Sequence, residues 1–398
     1  MNASQGDIWA PGSEAEAAEG VREARAKRRR LDIVGGGTRA GLGRPAEGDA
    51  RLSTRALSGV VFYEPAEMAI CAKAGTPVAE IVALIAQRGQ ILPFEPMDHR
   101  ALYATQGEPT VGGLVAANVS GPRRISAGAA RDALIGLRFV NGAGEILKSG
   151  GRVMKNVTGL DLVKLICGAH GTLGLVTEAT FKLVPKPEWE ASLVIRRLDD
   201  ARAIEALSRA LGSPYGVSGA AHLSAGMGRE FPRSFLRVEG FRDSVAYRIG
   251  ALLELLKPFG AKHALEGEDS ARLWREVGDA AFLAAPADAA VWRVSLAPSR
   301  AAAFVAAAGG HAQAHFYDWG GGLVWLSSAA TEAAAAAIRA ALAPFGGHAT
   351  LVRAPDALRA AIAVFEPPTA PLAAIARGVK TSFDPDGLFN AGRMYRGM

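Results

Sequence analysis

Two glycine-rich segments constrain the fold of this chain more than any other feature of its sequence. The first, Gly35–Arg39, directly follows the short apolar stretch Leu31–Val34, and the second is Pro109–Gly113. Glycine in a turn after a strand allows close approach of the backbone, so that several N–H groups can converge on one phosphate. A purely structural turn is the alternative for either segment alone. Two such segments in one chain favour a binding site for a diphosphate.

The residues after the first segment argue against nicotinamide-dinucleotide binding. In the Rossmann fold a regular helix begins directly at the glycine-rich turn. Here Gly41, Gly43 and Pro45 would interrupt such a helix. The sequence therefore indicates a different way of holding a dinucleotide.

Length and charge narrow the class of protein. A chain of 398 residues predicts two domains, and no apolar run approaches the roughly 18 residues that a membrane-spanning helix needs. The net charge of +6 comes mostly from Val21–Arg30, which holds six basic residues and one Glu. A single basic run is typical of a solvated helix face. We therefore expect a soluble protein without a nucleic-acid partner.

The cysteine and histidine content restricts redox and metal chemistry. Cys71 and Cys167 lie far apart, which predicts no disulfide framework and fits a reducing cytoplasm. An iron–sulfur cluster needs about four cysteine ligands, so this chain alone cannot hold one. We find no H-E-x-x-H motif and expect no metal site.

Helix-capping and turn residues predict where helices and strands begin and end in the first half of the chain. Residues 1–12 are predicted to be disordered. Ser13 and Glu16 form a capping box, which predicts a helix through the basic run to about Arg30. A strand at 68–74 precedes a helix with Thr76 as its N-cap, and a hairpin is predicted around 141–144. A domain boundary is expected near Pro185 and Pro187.

The second half repeats one order of elements. Each repeat is predicted to resemble a ferredoxin-like β-α-β-β-α-β unit, which points to an antiparallel sheet with helices on one face. The first unit comprises strand 191–197, helix 199–211, strands 217–223 and 234–239, and helix 242–257. The second comprises strand 290–296, helix 299–308, strands 312–318 and 322–328, helix 330–344 and strand 349–353.

Four blocks, in their order and spacing, resemble the vanillyl-alcohol-oxidase/PCMH-type FAD-binding domain over residues 13–187. They are the two glycine-rich segments, the stretch from Gly128 to Gly136, and Met154–Leu162 with Gly168–Gly174. A fifth block, Tyr317–Leu323 with the tail 381–394, is similar to the family of FAD-binding E subunits of bacterial glycolate oxidase. This resemblance covers nearly the whole chain.

The resemblance implies an α+β fold and a division into domains. A disordered terminus at 1–12 would precede a PCMH-type, two-subdomain FAD-binding domain at 13–187. An antiparallel-sheet cap domain of ferredoxin-like repeats would follow at 188–375. The C-terminal tail, 376–398, would return to the FAD domain.

The resemblance also implies which residues contact FAD. Carried over position by position, the first pyrophosphate loop is Gly35, Gly36, Gly37, Thr38, Arg39 and Gly43. The segment over the diphosphate and flavin is Pro109, Thr110, Val111, Gly112, Gly113 and Ala116. The dinucleotide is lined by Ser120, Gly121, Gly128, Arg131 and Asp132, and its adenine or isoalloxazine side by Gly171, Thr172 and Val176.

Absences from the family pattern matter as well. Covalent relatives use a His in the first loop or a Cys in the second, and this chain has neither, so non-covalent FAD is expected. Leu160 replaces a Tyr that the family often carries, which removes a hydroxyl. The H-x-G-D-G-N-x-H run of catalytic relatives is missing. His311, His315 and His348 lack that context and are expected to be structural, so no catalytic residue is assigned.

The function that the resemblance implies is that of an FAD-binding subunit of a glycolate oxidase or dehydrogenase complex. Glycolate would be oxidised to glyoxylate, with electrons passing to an iron–sulfur subunit beside a second flavin subunit. The expected location is the cytoplasm, peripheral at the inner membrane through the complex. Two alternatives stay open: a self-sufficient FAD-dependent 2-hydroxy-acid dehydrogenase and a non-catalytic, flavin-stabilised scaffold subunit.

Overall fold

The structure is a computed structural model that describes residues 8–151, 160–227 and 230–398. Its helices are α1 (Glu14–Ala26), α2 (Val78–Ala86), α3 (Arg100–Tyr103), α4 (Val111–Ala117), α5 (Arg124–Ala127), α6 (Ala130–Ala133), α7 (Leu162–Ile166), α8 (Asp200–Leu211), α9 (Arg242–Leu255), α10 (Gly267–Gly278), α11 (Ala301–Ala308), α12 (Glu332–Leu342), α13 (Asp356–Ala361) and α14 (Ala370–Phe383).

The strands fall into one group before residue 187 and one after it. The first group is β1 (Ile8–Trp9), β2 (Leu31–Val34), β3 (Ala50–Ser53), β4 (Val60–Glu64), β5 (Ala69–Lys73), β6 (Gln90–Ile91), β7 (Leu134–Val140), β8 (Ile146–Gly150), β9 (Leu175–Lys182) and β10 (Val184–Pro185). The second group is β11 (Trp189–Arg196), β12 (Val217–Leu223), β13 (Arg233–Gly240), β14 (His263–Glu266), β15 (Ala290–Ser295), β16 (Ala314–Asp318), β17 (Leu323–Ser328) and β18 (His348–Arg353).

Two sheets organise the N-terminal part. A parallel sheet has the order β1-β3-β2, and an antiparallel sheet has the order β4-β5-β9-β7-β8. A core that includes Ile70, Phe94, Phe139 and Phe181 fills the space around the second sheet. The first glycine-rich segment directly follows β2, and Gly112 N of the second donates to Ala74 O just after β5, so the sheets fix the position of both segments.

The N-terminal helix forms as its cap predicts but is shorter. The Ser13 hydroxyl accepts a hydrogen bond from Glu16 N at 3.2 Å, which confirms the cap. The helix ends at Ala26 because Arg28 has a left-handed backbone, with φ of 52°. The prediction of disorder is wrong for residues 8–12, since Ile8–Trp9 of β1 pairs with β3 and Gly12 N donates to the Glu16 carboxylate at 2.9 Å. In α2, Pro77 and not Thr76 occupies the N-cap position.

One antiparallel sheet organises the C-terminal part, with the order β14-β11-β13-β12-β16-β17-β15-β18. Within each half the fourth strand lies beside the first, followed by the third and second. The predicted strands are present, whereas β14 and α10 were not predicted. Strand β14 has the sequence HALE, which gives too short an alternation to recognise. Helix α10 buries Leu273, Trp274 and Val277. These apolar residues have helical spacing, so the sequence did contain a signal for this helix.

The C-terminal tail packs back on the N-terminal part. Leu31 N donates to Leu388 O at 2.7 Å, and Asn390 N donates to Leu31 O at 2.9 Å. Leu388 and Phe389 share a core with Val21 of α1. The tail therefore lies against β2, the strand from which the first glycine-rich segment emerges. No helix in the described ranges has the length and apolar character that crossing a membrane requires.

Candidate cofactor site

The first glycine-rich loop presents its backbone to a cavity. Gly37 has φ of 78° and faces open space, a conformation that glycine adopts without strain. Gly36 lies so close to the neighbouring loop that an added Cβ would be 1.6 Å from Glu108 O. The backbone N–H groups of residues 36–39 donate no hydrogen bond to any described group. Such a run of free donors along the cavity suits a bound anion.

The second loop forms part of the cavity wall, but its backbone N–H groups are already hydrogen-bonded within the protein. Gly112 N donates to Ala74 O at 2.7 Å, Val111 N to Thr76 O at 3.0 Å, and Gly113 N to the Thr110 hydroxyl at 3.4 Å. A Cβ at Gly112 would meet Ala74 at 2.9 Å. These N–H groups are therefore occupied within the protein, contrary to our expectation that they are available to a diphosphate. Small side chains here leave room beside the first loop.

The two loops, the segment after α7 and the tail line one cavity that is open to solvent. The predicted residues that line it are Gly35, Gly36, Gly37, Thr38, Arg39, Thr110, Gly112, Gly113, Ala116, Gly171 and Val176. The lining residues that were not predicted are Ile33, Val34, Ala40, Leu42, Thr54, Ala117, His170, Gly174, Asn390 and Arg393.

The other predicted contact residues are not part of the lining. They are Gly43, Pro109, Val111, Ser120, Gly121, Gly128, Arg131, Asp132 and Thr172. Several are used in local structure: the Asp132 carboxylate accepts Ala129 N at 2.8 Å, Ser120 Oγ accepts Ala130 N at 2.9 Å, and the Thr172 hydroxyl donates to Ala169 O at 2.7 Å.

The remaining six are fixed by packing or by their own backbone bonds; for example, Gly128 N donates to Arg124 O and Arg131 N to Asn118 Oδ1, both at 3.1 Å. Val111 is buried, and Pro109 O accepts Val78 N at 2.8 Å. Gly121 N donates to Phe94 O at 2.9 Å. Gly43, with φ of 87°, packs so closely on Arg393 that an added Cβ would be 2.9 Å from its carbonyl oxygen. Arg131, half of whose side chain is exposed, has its Nε 3.9 Å from Asp132 Oδ1.

Arg39 supplies a fixed positive charge at the cavity. Its Nε donates to His99 Nδ1 at 2.8 Å, and its Nη2 donates to Met97 O at 2.6 Å. Burial lowers the pKa of Arg39 to about 10, so the guanidinium stays protonated at neutral pH. Burial and the Arg39 charge hold the pKa of His99 well below its usual value. His99 is therefore neutral, and its Nδ1 can accept the hydrogen bond from Arg39 Nε.

The tail residue Asn390 closes the cavity from the other side. Its Oδ1 accepts Ile33 N at 2.8 Å, and its Nδ2 donates to His170 O at 2.7 Å. Arg393 donates from Nη1 to Ala40 O at 3.1 Å and adds a second cation. A buried ion pair supports this arrangement, because Lys380 Nζ lies 2.6 Å from Asp384 and 2.7 Å from Thr172 O.

The structure describes His170 and its neighbours fully but only the end of the block Met154–Leu162. Most of Met154–Leu162 lies outside the described residues; Leu160, at its end, is 82% exposed. His170 was missed although it directly precedes the predicted Gly171. Burial, followed by the Arg393 charge, lowers the pKa of His170 to about 4, and its ring packs on Phe365 at 4.9 Å between centroids. Free N–H donors, two cations and an apolar wall together fit a dinucleotide such as FAD.

Comparison with known proteins agrees with this geometry. The family model described as an FAD binding domain matches residues 8–150. The chain is 34% identical to glycolate oxidase subunit GlcE of Escherichia coli (strain K12) over 379 residues, which are 95% of this chain and 96% of that protein. It is 32% identical to glycolate oxidase subunit GlcD of Bacillus subtilis (strain 168) over 150 residues, 38% of this chain and 30% of that one.

Solved structures share the fold at low identity. The 4-ethylphenol oxidase from Gulosibacter chungangensis superposes with a TM-score of 0.74 at 14% identity, covering 100% of this chain and 91% of the other. A p-cresol methylhydroxylase gives 0.74 at 13% identity, covering 97% and 88%. These two show a PCMH-type fold of mixed helix and sheet. The match to subunit GlcE over 95% of this chain and 96% of that protein establishes that the chain belongs to the family of glycolate oxidase subunit GlcE and, with the FAD binding domain, that its cofactor is FAD.

Proposed function

We propose that this chain is the FAD-binding subunit of a complex that oxidises glycolate to glyoxylate. The observation that carries the proposal is the match to subunit GlcE along 95% of the chain, together with a cavity of the required chemistry. The reaction removes a proton and a hydride equivalent from the 2-hydroxy acid. FAD, when bound, accepts the hydride equivalent.

We propose that the residues lining the cavity bind the cofactor. The free N–H groups of residues 36–39 would hold the pyrophosphate, with Arg39 and Arg393 balancing its charge. Gly171 and Val176, beside His170, would contact the adenine or isoalloxazine side of the cofactor. The close approach of Gly36 to Glu108 keeps the first loop in place, so the donors are arranged before the cofactor binds.

We propose that the cofactor is held without a covalent bond. Neither loop carries the His or Cys that covalent relatives use. Cys71 and Cys167 are buried, and burial raises the pKa of the Cys167 thiol to about 12, which keeps it from forming a thiolate. His170 stays neutral at physiological pH and its ring is packed on Phe365.

We propose that the C-terminal sheet is a cap made of two ferredoxin-like units. The order of fourth, first, third and second strand in each half supports this assignment. The strands of the two units pair at His222 with Tyr317 and at Leu223 with Phe316, and Asp200 of the first unit accepts a hydrogen bond from the Tyr317 hydroxyl of the second at 2.7 Å. The cap contacts the FAD domain beside the cofactor cavity, as Arg44 shows by donating to Ile362 O at 2.8 Å.

Partners are required to carry the electrons away. Two cysteines cannot ligate an iron–sulfur cluster. We therefore propose an iron–sulfur subunit and a second flavin subunit in the same complex, located in the cytoplasm and peripheral at the inner membrane. A self-sufficient dehydrogenase would not need these subunits.

Reconstitution tests this proposal. We expect the isolated, FAD-loaded chain to give negligible steady-state reduction of quinone by glycolate, because it has no relay to quinone. Addition of a second flavin subunit and an iron–sulfur subunit should restore the activity. The same mixture without this chain is the control and should be inactive. Full quinone reduction by the chain alone would support a self-sufficient dehydrogenase, and activity independent of the chain would contradict the proposal.

A further inference from the structure

Trp319 is held in an unfavourable backbone conformation where the cap meets the FAD domain. Its φ is 54°, in the left-handed region that bulky residues avoid at a cost of about 1–3 kcal/mol. Two contacts fix it: Trp319 N donates to Asp318 Oδ1 at 2.7 Å, and the indole Nε1 donates to Gly121 O at 3.2 Å. The indole is therefore positioned precisely, at the cost of strain.

Two arginines lie over this indole. The Arg124 guanidinium carbon, on α5 of the FAD domain, is 4.8 Å from the ring centroid, and that of Arg293, on β15 of the cap, is 5.0 Å away. Within the described ranges neither guanidinium donates a hydrogen bond or pairs with a carboxylate. Each guanidinium carries five N–H donors, so this junction concentrates unused donors and positive charge.

Asp318 near Arg293 and Asp132 near Arg124 offset part of the charge at the junction, but no carboxylate in the described ranges forms an ion pair with either guanidinium. Burial, followed by repulsion from Arg124, lowers the pKa of Arg293 to about 10, so it stays protonated at neutral pH. The nearest acid on the same turn, Asp318, is itself buried, and burial raises its pKa to about 7. Two half-buried cations without a hydrogen-bonded carboxylate are costly unless an anion binds between the domains.

The junction is adjacent to the cofactor cavity. The positive charge of Arg293 contributes to lowering the pKa of His99, and His99 accepts a hydrogen bond from Arg39, which lines the cavity. Gly121, whose carbonyl oxygen accepts the hydrogen bond from the indole, lies in the segment that follows α4. An anion at Trp319 would thus lie on the cap side of the cofactor.

We propose that Arg124, Arg293 and Trp319 bind the carboxylate of a small organic acid, which is the 2-hydroxy acid if the proposed function holds. Guanidinium groups match a carboxylate with paired, planar hydrogen bonds. The indole holds both guanidinium groups in position by cation–π contact. One arginine comes from each domain, so a bound carboxylate would also join the cap to the FAD domain.

Calorimetric titration of the full FAD-loaded chain with oxalate tests this site without turnover. Charge-assisted hydrogen bonds contribute about 1.5–3 kcal/mol, so Arg293→Gln and Arg124→Gln should each weaken oxalate binding by roughly 10- to 100-fold. Arg242→Gln is the matched control, since that arginine lies 4.4 Å from the Trp189 ring on the outside of the cap. Its oxalate affinity should equal that of the wild type.

FAD content and thermal stability of every variant show whether it folds, and the two arginine variants provide independent tests. Unchanged oxalate affinity in a folded Arg293→Gln or Arg124→Gln chain would overturn the site. In the assembled complex, Arg293→Gln should raise the KM for glycolate by at least about tenfold. Loss of oxalate binding with an unchanged KM would overturn the assignment to the substrate but leave the proposed function intact. A complex inactive on glycolate whose chain still binds oxalate through both arginines would overturn the proposed function and support the anion site.

Discussion

Replacement of Gly36 by valine is expected to yield a protein without flavin. The Cβ would overlap Glu108 O, at 1.6 Å, and neither atom can move without displacing its loop. Because overpacking typically costs about 1–3 kcal/mol and here involves backbone on both sides, the first loop should separate from the second. The N–H groups of residues 36–39 would then no longer converge. The measurement is the ratio of flavin to protein absorbance after purification.

Gly250→Val is the control for this variant. Gly250 is exposed on α9, and nothing lies within 4 Å of an added Cβ. It should retain full flavin content, with stability unchanged or slightly increased, because valine has a higher helix propensity than glycine. Normal flavin occupancy in Gly36→Val would mean that the loop does not hold the pyrophosphate.

Loss of Arg237 is expected to produce the largest loss of stability. Arg237 of β13 is 1% exposed, and it donates to both carboxylate oxygens of Glu95, at 2.7 and 3.1 Å. Arg123 joins the group through Glu239 at 2.5 Å. The cluster links the cap to the FAD domain. Removal of one partner from a buried ion pair costs about 3–5 kcal/mol, and Arg237→Met should lower the free energy of unfolding by that amount.

The pH dependence of this loss has a definite sign. Burial raises the pKa of Glu95, but Arg237 and Arg123 together lower it below the ordinary value. A carboxyl with a lowered pKa in the folded state stabilises the protein above its unfolded pKa of about 4.3, and that contribution is lost as the pH falls through the folded pKa. The difference between wild type and Arg237→Met should therefore narrow at acid pH.

Urea unfolding at neutral and acid pH measures both effects. Arg202→Met is the control, because Arg202 pairs with Glu205 on an exposed helix face, where such pairs contribute about 0–1 kcal/mol. A loss in Arg237→Met no greater than in Arg202→Met would show that the cluster does not join the domains.

Local signals account for what the sequence predicted. The Ser13 cap, the strand 31–34, the hairpin around 141–144 and most cap strands follow from spacing within a few residues. The first glycine-rich segment lines the cavity as expected. These features depend on interactions between residues close together in the chain, and the sequence alone shows which residues those are.

Long-range contacts account for what the sequence did not predict. Asn390 and Arg393 reach the cavity only because the tail pairs with β2. Glu95 and Arg237 meet across 142 positions of the chain. The bonds from Gly112 N to Ala74 O and from Val111 N to Thr76 O, which occupy the second loop, depend on how that loop packs. No spacing rule within one segment encodes such pairings.

Direct measurement of flavin in the purified chain tests the central claim, that this protein holds FAD in the cavity between the first loop and the tail. The protein is precipitated with acid, and flavin is measured in the supernatant and in the pellet. We predict one FAD per chain, all of it in the supernatant. Flavin retained in the pellet would contradict non-covalent binding, and a colourless protein that takes up no added FAD would contradict the account as a whole.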